Sequence, residues 1–304
     1  PLATAGPVLK GPMQNLRRHF ALYLLVAPVV IYFALFVFYP LSLGIWLSFQ
    51  KAGMMGPQGF AGLRNYAKIF VTGAVWDAAW NTLAIAGGIT LFGTLLPIIP
   101  AIALAEITPN GLRRALQTTI YTPYLLSWVI IIGVWMNTLS PIGIVNAVLI
   151  ACHIISQPIA FFAAPAWAQP LVVAQTVWKD MGFCALIYYA ALMSIDPELI
   201  EAATMDGAKA WHKIRDLILP HLAPVIGVVF MLTLQGSLHT FDSAFLMSNG
   251  RTAEKVTTLA VYAYQKGLLQ FDLGMASACG VVLLGLCVTV AFVSRWILPP
   301  QARF

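Results

Sequence analysis

Apolar residues in this chain come in long unbroken runs, separated by short charged clusters, rather than at alternating positions. No Asp, Glu, Lys or Arg lies between His19 and Lys51, a stretch of 31 residues, and a second run fits between Asp77 and Glu106. From Ala115 to Trp178, 64 residues carry none of these four types, which is too long for one membrane helix of about 20 residues and long enough for two. The break is expected around Asn137 to Gln169, where Ser140-Pro141, Gly143, Pro158, Pro165 and Pro170 cluster. The pattern predicts spans at about 20–50, 78–105, 116–136, 170–193, 221–247 and 272–298, with a charged loop over 196–220 between the fourth and fifth. Gly87-Gly88, Gly93, Pro97 and Pro100 predict a kinked, tightly packed second span.

Composition removes the alternatives. Sixty per cent of the residues are hydrophobic and mean hydropathy is +0.83, more apolar surface than a water-soluble domain could cover. Strands of a membrane barrel would alternate apolar and polar positions, which these runs do not. Helices then remain as the structure that satisfies its own backbone in lipid, so the expected fold is all-α integral membrane with six transmembrane helices. Cys152, Cys184, Cys279 and Cys287 lie in or near apolar runs without CxxC pairing and read as packing residues, not a disulfide framework or metal site.

The net charge of +6 is read as basic residues flanking spans, not as a nucleic-acid surface. Lys10, Arg17, Arg18, Arg113, Arg114, Lys209, Lys213, Arg215, Arg295 and Arg303 fall on one predicted side, and Lys51, Arg64, Lys68, Arg251, Lys255 and Lys266 on the other. The positive-inside rule makes the first side cytoplasmic, with both termini (1–19 and 299–304) and the 196–220 loop there. On the other side, Gly62 to Phe70 reads as a short interfacial helix, with Leu63, Tyr66, Ile69 and Phe70 on one face and Arg64, Asn65 and Lys68 opposite.

Only 9% of the chain is charged, yet five acids and three bases fall between Asp196 and Asp216. Asp196 suits an N-cap and Pro197 the first helical position, with Glu198 and Glu201 near the positive end of the helix dipole. The segment predicts a helix over Pro197–Met205, a left-handed turn at Gly207, and a second helix from Ala208 to about Leu217 before Pro220 re-enters the membrane. Trp211, Ile214 and Leu217, three apart, form a predicted apolar stripe, while Ala202 and Ala203 permit close backbone approach. The alternatives are a docking plug for a partner and a loop folded back on the bundle.

The run Glu201-Ala202-Ala203, three residues, Gly207, nine residues, Leu217, one residue, Leu219-Pro220 resembles the EAA loop of binding-protein-dependent ABC importers. Leu192 to Leu199, Gly62-Leu63-Arg64-Asn65-Tyr66, Val177-Trp178-Lys179 and Phe241-Asp242 through Asn249-Gly250 resemble further segments of the sugar-type permeases, including the maltose, glycerol-3-phosphate and oligosaccharide systems. The likeness covers roughly residues 20–298. Ile214 departs from the Phe that sugar importers often carry there. The resemblance implies a permease subunit in the bacterial inner membrane, with Glu201, Ala202, Ala203, Asp206, Gly207, Trp211, Ile214, Leu217 and Pro220 docking a cytoplasmic ATPase. It implies as partners a second permease subunit, two ATP-binding subunits and an extracytoplasmic solute-binding protein. ATP and Mg would sit on the ATPase and no cofactor on this chain.

The chain itself holds no GxxxxGK[ST] phosphate loop, GxSxG or HExxH, so it is not read as an ATPase or another enzyme. An intramembrane enzyme and a passive channel remain the alternative classes, and neither needs a docking plug. Intramembrane charges are costly and usually functional, which singles out Lys179 and Asp180. They line a substrate cavity, or else Lys179 snorkels or pairs with another span. Trp178 or Phe183 would offer an aromatic face to a sugar ring, and the resemblance to sugar permeases implies that Thr176, Lys179, Asp180 and Phe183 face the substrate. Gln235, His239 and Asp242 are spaced by four and three and would share one face of the fifth span; Tyr188 and Tyr189 are weaker candidates. Lys179 in a cavity would suit an anionic sugar such as a uronate oligosaccharide or sugar phosphate. Other small solutes, amino acids among them, are the alternative cargo.

Overall fold

The computed structural model describes residues 20–248 and 250–297; the terminal segments 1–19 and 299–304 lie outside the described residues. The first span comprises α1 (Phe20–Phe33), a wide π-helical turn (Ala34–Phe38) and α2 (Tyr39–Ser48). A second π turn (Ile214–Ile218) links α11 (Ala210–Lys213) to α12 (Leu219–Leu238). Each of these two turns is followed two residues later by a proline, Pro40 and Pro220. Proline has no N–H to give the carbonyl four residues back and its ring crowds that oxygen, and a wide turn ahead of it relieves both.

Between α2 and the next helix the chain forms a two-stranded antiparallel hairpin, β1 (Gln50–Gly53) and β2 (Gly56–Phe60), with Ala52 opposite Pro57 and Gly53 opposite Gly56. The all-helical expectation did not include it. Gly56 (φ +88°) and Gly59 (φ +139°) supply backbone angles that side chains disfavour. The predicted interfacial helix is present as α3 (Arg64–Val71). Its faces differ from expectation: Leu63 is exposed, whereas Asn65 is buried, donating from Nδ2 to the carbonyls of Ser48 (2.8 Å) and Gln50 (2.9 Å). Two carbonyls left at the helix-to-strand junction need donors, and Asn65 supplies both.

The second span is α4 (Gly73–Leu95) and α5 (Ile98–Glu106), interrupted at Leu96-Pro97, where both residues keep helical backbone angles. The third departs from one straight helix over 116–136. It is α6 (Asn110–Leu125) and α7 (Trp128–Thr138), bent by 107°. Pro123 lies in the last turn of α6, and Leu126 and Ser127 are extended, so the helix stops there. After α8 (Ile144–Ala151), the fourth span, α9, runs from Pro165 to Leu192. It is followed by α10 (Pro197–Met205), with α11 and α12 beyond. The fifth span is also shorter than predicted at its far end: α12 stops at Leu238, and α13 (Asp242–Met247) is a separate helix. Then come α14 (Ala253–Val256), α15 (Leu259–Tyr264), a π turn (Gln265–Leu269) and α16 (Leu273–Ile297), the sixth span.

Among the described residues four helical stretches are long and apolar enough to cross a membrane, or up to six if each bent pair, α6 with α7 and α9 with α10, is one span. The centre of the bundle is α4, which packs against both α9 and α12. Hydroxyls stitch these helices together: Thr90 Oγ1 lies 3.2 Å from Ser237 Oγ and Thr94 Oγ1 3.0 Å from Thr233 Oγ1. Tyr188 of α9, fully buried, donates its hydroxyl to the Thr94 carbonyl at 2.9 Å. At the far end of α4, Asn81 donates to the carbonyls of Glu254 and Thr257 and accepts from Gln169 Nε2 at 2.9 Å, which pins α14 to α4 and α9. Close approach between elements needs glycine at Gly182 and Gly274. A Cβ on Gly182 would fall 2.5 Å from the Ile120 carbonyl oxygen on α6, and one on Gly274 would strike the carbonyl oxygen of Gln50.

Two stability measurements follow. Gly274→Val should lower the detergent melting temperature sharply and reduce folded yield, whereas Gly280→Ala, with no atom within 4 Å of its added Cβ, should change little. A double-mutant cycle of Thr94→Val and Thr233→Val in a reversible unfolding assay should give a coupling of about 0.6 kcal/mol, the average for side-chain hydrogen bonds between membrane helices; zero coupling would show that the pair does not hold α4 to α12.

Candidate functional site

Two regions gather the predicted site residues. The first is the charged loop. The Asp196 carboxylate accepts from the Glu198 N–H at 3.0 Å, so the expected N-cap forms, with Pro197 in the first turn. Gly207 has φ +79°, and the turn closes through Gly207 N–H to the Thr204 carbonyl (3.1 Å) and Ala208 N–H to the Ala203 carbonyl (3.0 Å). This paired bonding satisfies the carbonyls at the end of α10 and requires a left-handed residue there.

Glu201, Ala202 and Asp206 are exposed and Ala203 is half-buried. Trp211 is 64% exposed and Met205 88%, with Leu199 also open to solvent. The predicted stripe of Trp211, Ile214 and Leu217 is not one exposed face: Ile214 packs, with Ile200, on the core formed by Ile98, Leu192, Ile195 and Leu222, and Leu217 is half-buried. The π turn rotates the helix between Trp211 and Leu222, so residues three apart diverge. The second helix begins at Ala210, not Ala208, and Pro220 lies within a helix that continues from Ala210 to Leu238. Met205, the most exposed apolar residue of this loop, escaped the sequence reading; its place immediately before Asp206-Gly207 was the available signal.

The second region is a cavity of about 290 Å³ between α4, α9 and α12, closed at one side by the end of α6. Of the candidate path residues, Thr176, Asp180 and Phe183 of α9 line it. Thr233, Gly236, Ser237 and Thr240 face it from α12 and the turn after it, and Ile89 and Gly93 from α4. Phe183 stacks on Tyr124 with ring centroids 5.2 Å apart and planes at 13°. The hydroxyl wall of α12 escaped the sequence reading. The signal was polar residues four apart in apolar helices, Thr90 with Thr94 and Thr233 with Ser237.

The remaining path candidates lie elsewhere. Trp178 faces a separate apolar groove and meets Trp135 edge-on, with ring centroids 6.1 Å apart. Lys179 points to the broken third span: its ammonium donates to the carbonyls of Leu126 (2.7 Å), Tyr124 (2.8 Å) and Pro123 (3.4 Å). The Tyr124 and Trp128 rings flank it, with centroids 5.6 and 5.7 Å away. Gln235, His239 and Asp242 do not share a helical face, because the helix stops at Leu238 and Asp242 opens α13. The Thr240 hydroxyl donates to the Ser237 carbonyl, and Thr258 donates to the Thr240 carbonyl, which replaces the lost helical bonds. All three residues are exposed and outside the cavity, and His239 Nε2 sits 3.6 Å from Cys287 Sγ. Tyr188 is consumed by its bond to Thr94.

Known proteins share this architecture. The polygalacturonan/rhamnogalacturonan transport system permease protein YteP of Bacillus subtilis is 31% identical over 267 residues, 86% of this chain and 82% of that protein. The lactose transport system permease protein LacF of Rhizobium radiobacter is 30% identical over 261 residues, 83% of this chain and 85% of that protein. A crystal structure of a bacterial alginate ABC transporter, in complex with an alginate pentasaccharide-bound periplasmic protein, matches 96% of this chain and 99% of its own with a TM-score of 0.85 and 28% identity. The family model for the inner membrane component of binding-protein-dependent transport systems matches residues 93–302, which take in α5 through the sixth span, the charged loop and all of the cavity lining except Ile89. With that match the chain belongs to the family of inner membrane components of binding-protein-dependent transport systems.

Proposed function

We propose that this chain is the permease subunit of an ATP-driven, binding-protein-dependent importer of carbohydrate, and that the 196–220 loop couples it to a cytoplasmic ATPase. The relatives' names speak of polysaccharide, lactose and alginate transport, which supports a sugar cargo. The cavity supports it too. Hydroxyls, a carboxylate and a stacked aromatic pair are the groups a polyhydroxylated ring needs.

The observation that carries the coupling role is the continuity of one helix from loop to cavity. Trp211 stands on the exposed end of the stretch Ala210–Leu238, and Thr233 and Ser237 line the cavity near its other end. At 1.5 Å per residue the two ends of that reach are about 33 Å apart. A push on Trp211 and α10 is therefore delivered to the cavity wall as a rigid-body movement, and the hydroxyl pairs pass it on to α4. In this reading Glu201, Ala202, Ala203, Asp206, Gly207, Trp211, Leu217 and Pro220 form or support the docking surface, and Ile214 anchors it to the bundle. ATP and Mg bind the two ATPase subunits, a second permease subunit completes the path, and a solute-binding protein delivers cargo to the opposite face. Both termini and the loop face the cytoplasm.

The test is ATP hydrolysis by the assembled transporter in lipid, with loaded binding protein. Trp211→Glu and Gly207→Asp should each reduce the stimulated rate at least about tenfold, since a buried aromatic anchor and a strained turn each exceed about 1.4 kcal/mol. The melting temperature of the isolated chain should shift little for Trp211→Glu. Unchanged stimulation in both variants would show the loop to be structural only.

A further inference from the structure

We infer that the cavity of this chain is built for an uncharged sugar, recognised through Asp180, and that Lys179 is a backbone clamp rather than a site for an acidic one. The inference rests on the reading that this cavity lies on the sugar path. The relatives' names leave the charge of the cargo open, since polygalacturonan is a polymer of acids and lactose is neutral.

Lys179 and Asp180 are neighbours in sequence but point to different places. An ammonium has three N–H donors. Lys179 has three carbonyl partners at the break between α6 and α7, from Pro123, Tyr124 and Leu126. Its charge also rests at the negative end of the α6 dipole and beside two aromatic rings. No donor remains for a carboxylate or phosphate. Pulling Lys179 away would strand carbonyls in the membrane interior, where water does not replace the lost bonds.

Asp180 is the opposite case. It lines the cavity, and among the described residues its carboxylate makes no hydrogen bond and no ion pair. The other cavity-lining groups are hydroxyls, aromatic rings and apolar side chains, with no Arg, Lys or His. An ionised carboxylate only accepts hydrogen bonds, and its two oxygens suit two neighbouring hydroxyls of a sugar ring. The Phe183–Tyr124 pair, held in place by the Lys179 clamp on the Tyr124 carbonyl, stands beside it. A uronate in the same place would set a second negative charge against Asp180, and the nearby Lys179 ammonium is already engaged by three carbonyls, so the repulsion is strong where the dielectric is low.

The experiment uses the complete transporter in proteoliposomes with its binding protein. ATP-dependent uptake is compared for trisaccharides of glucose, galactose and mannose and for the glucuronate, galacturonate and mannuronate trisaccharides of the same linkages. The wild type should prefer the neutral members. Asp180→Asn should reduce neutral uptake about tenfold or more, as losing a charged hydrogen-bond partner does, and should shift the neutral-to-uronate ratio toward the uronates. Lys179→Met should lower the melting temperature and leave that ratio unchanged. A wild type that prefers uronates, or a Lys179→Met variant that loses uronate uptake selectively, overturns the inference while the importer reading stands. So does an Asp180→Asn variant with unchanged uptake and ratio. If Asp180→Asn fails to assemble, the wild-type preference alone decides. If neither series raises ATP hydrolysis above the basal rate, the sugar-importer reading fails and this inference falls with it.

Discussion

A carbonyl left at the end of a broken helix needs a donor from elsewhere in the fold, and that constraint shapes the heart of this protein. The third span turns through 107° between α6 and α7, and the carbonyls uncovered there converge on one ammonium. Lys179 thus does for α6 what the paired bonds around Gly207 do for α10. The bend in turn presents Tyr124 to Phe183 and closes the cavity on one side. Gly182, three positions on from Lys179, lets α6 approach α9 closely enough for the clamp to reach. Charge, glycine and proline at this point act as one device.

The same economy of polar groups recurs throughout the bundle. Where α4 meets α12, hydroxyls pair across the helices; where the first span meets the hairpin, Asn65 takes two carbonyls; where α14 folds over, Asn81 and Gln169 share the work. Each joint sits where regular backbone bonding stops or where two helices touch without large side chains between them. Apolar contacts fill the space between joints, in three clusters spread along the bundle. Lipid offers little hydrophobic drive for helix association, so these polar joints and close small-residue contacts bear much of the specificity of packing.

The sequence made the locally determined features legible. Asp196-Pro197 and Gly207 carry their conformations in their own chemistry, and both appear where their side chains, or lack of one, demand. The long apolar runs marked the spans. What stayed hidden depends on partners without a sequence signature. Lys179 reads as a buried cation, and nothing in its neighbours reveals that its ligands are backbone oxygens more than 50 residues away. Asn65 reads as the polar face of a surface helix until the Ser48 and Gln50 carbonyls arrive from the preceding span. Gln235, His239 and Asp242 share a face only if the helix persists, and a local bond from Thr240 together with a tertiary bond from Thr258 takes the place of its continuation. Thr233 and Ser237 were overlooked because a hydroxyl in an apolar helix can always bond its own backbone.

The π turn at Ile214–Ile218 has a geometric consequence. A helix advances about 100° per residue, so one extra residue in a single turn changes the rotational phase of everything on one side of it by roughly that amount. Upstream of the turn, Trp211 looks outward; downstream, Leu222 and Thr233 look into the bundle. Because Pro220 fixes where the wide turn sits, a single residue count sets the angle between the exposed surface around Trp211 and the wall of the cavity. Residue identity along this stretch is therefore freer to drift than its length: a substitution alters one contact, whereas a one-residue deletion turns the whole lever.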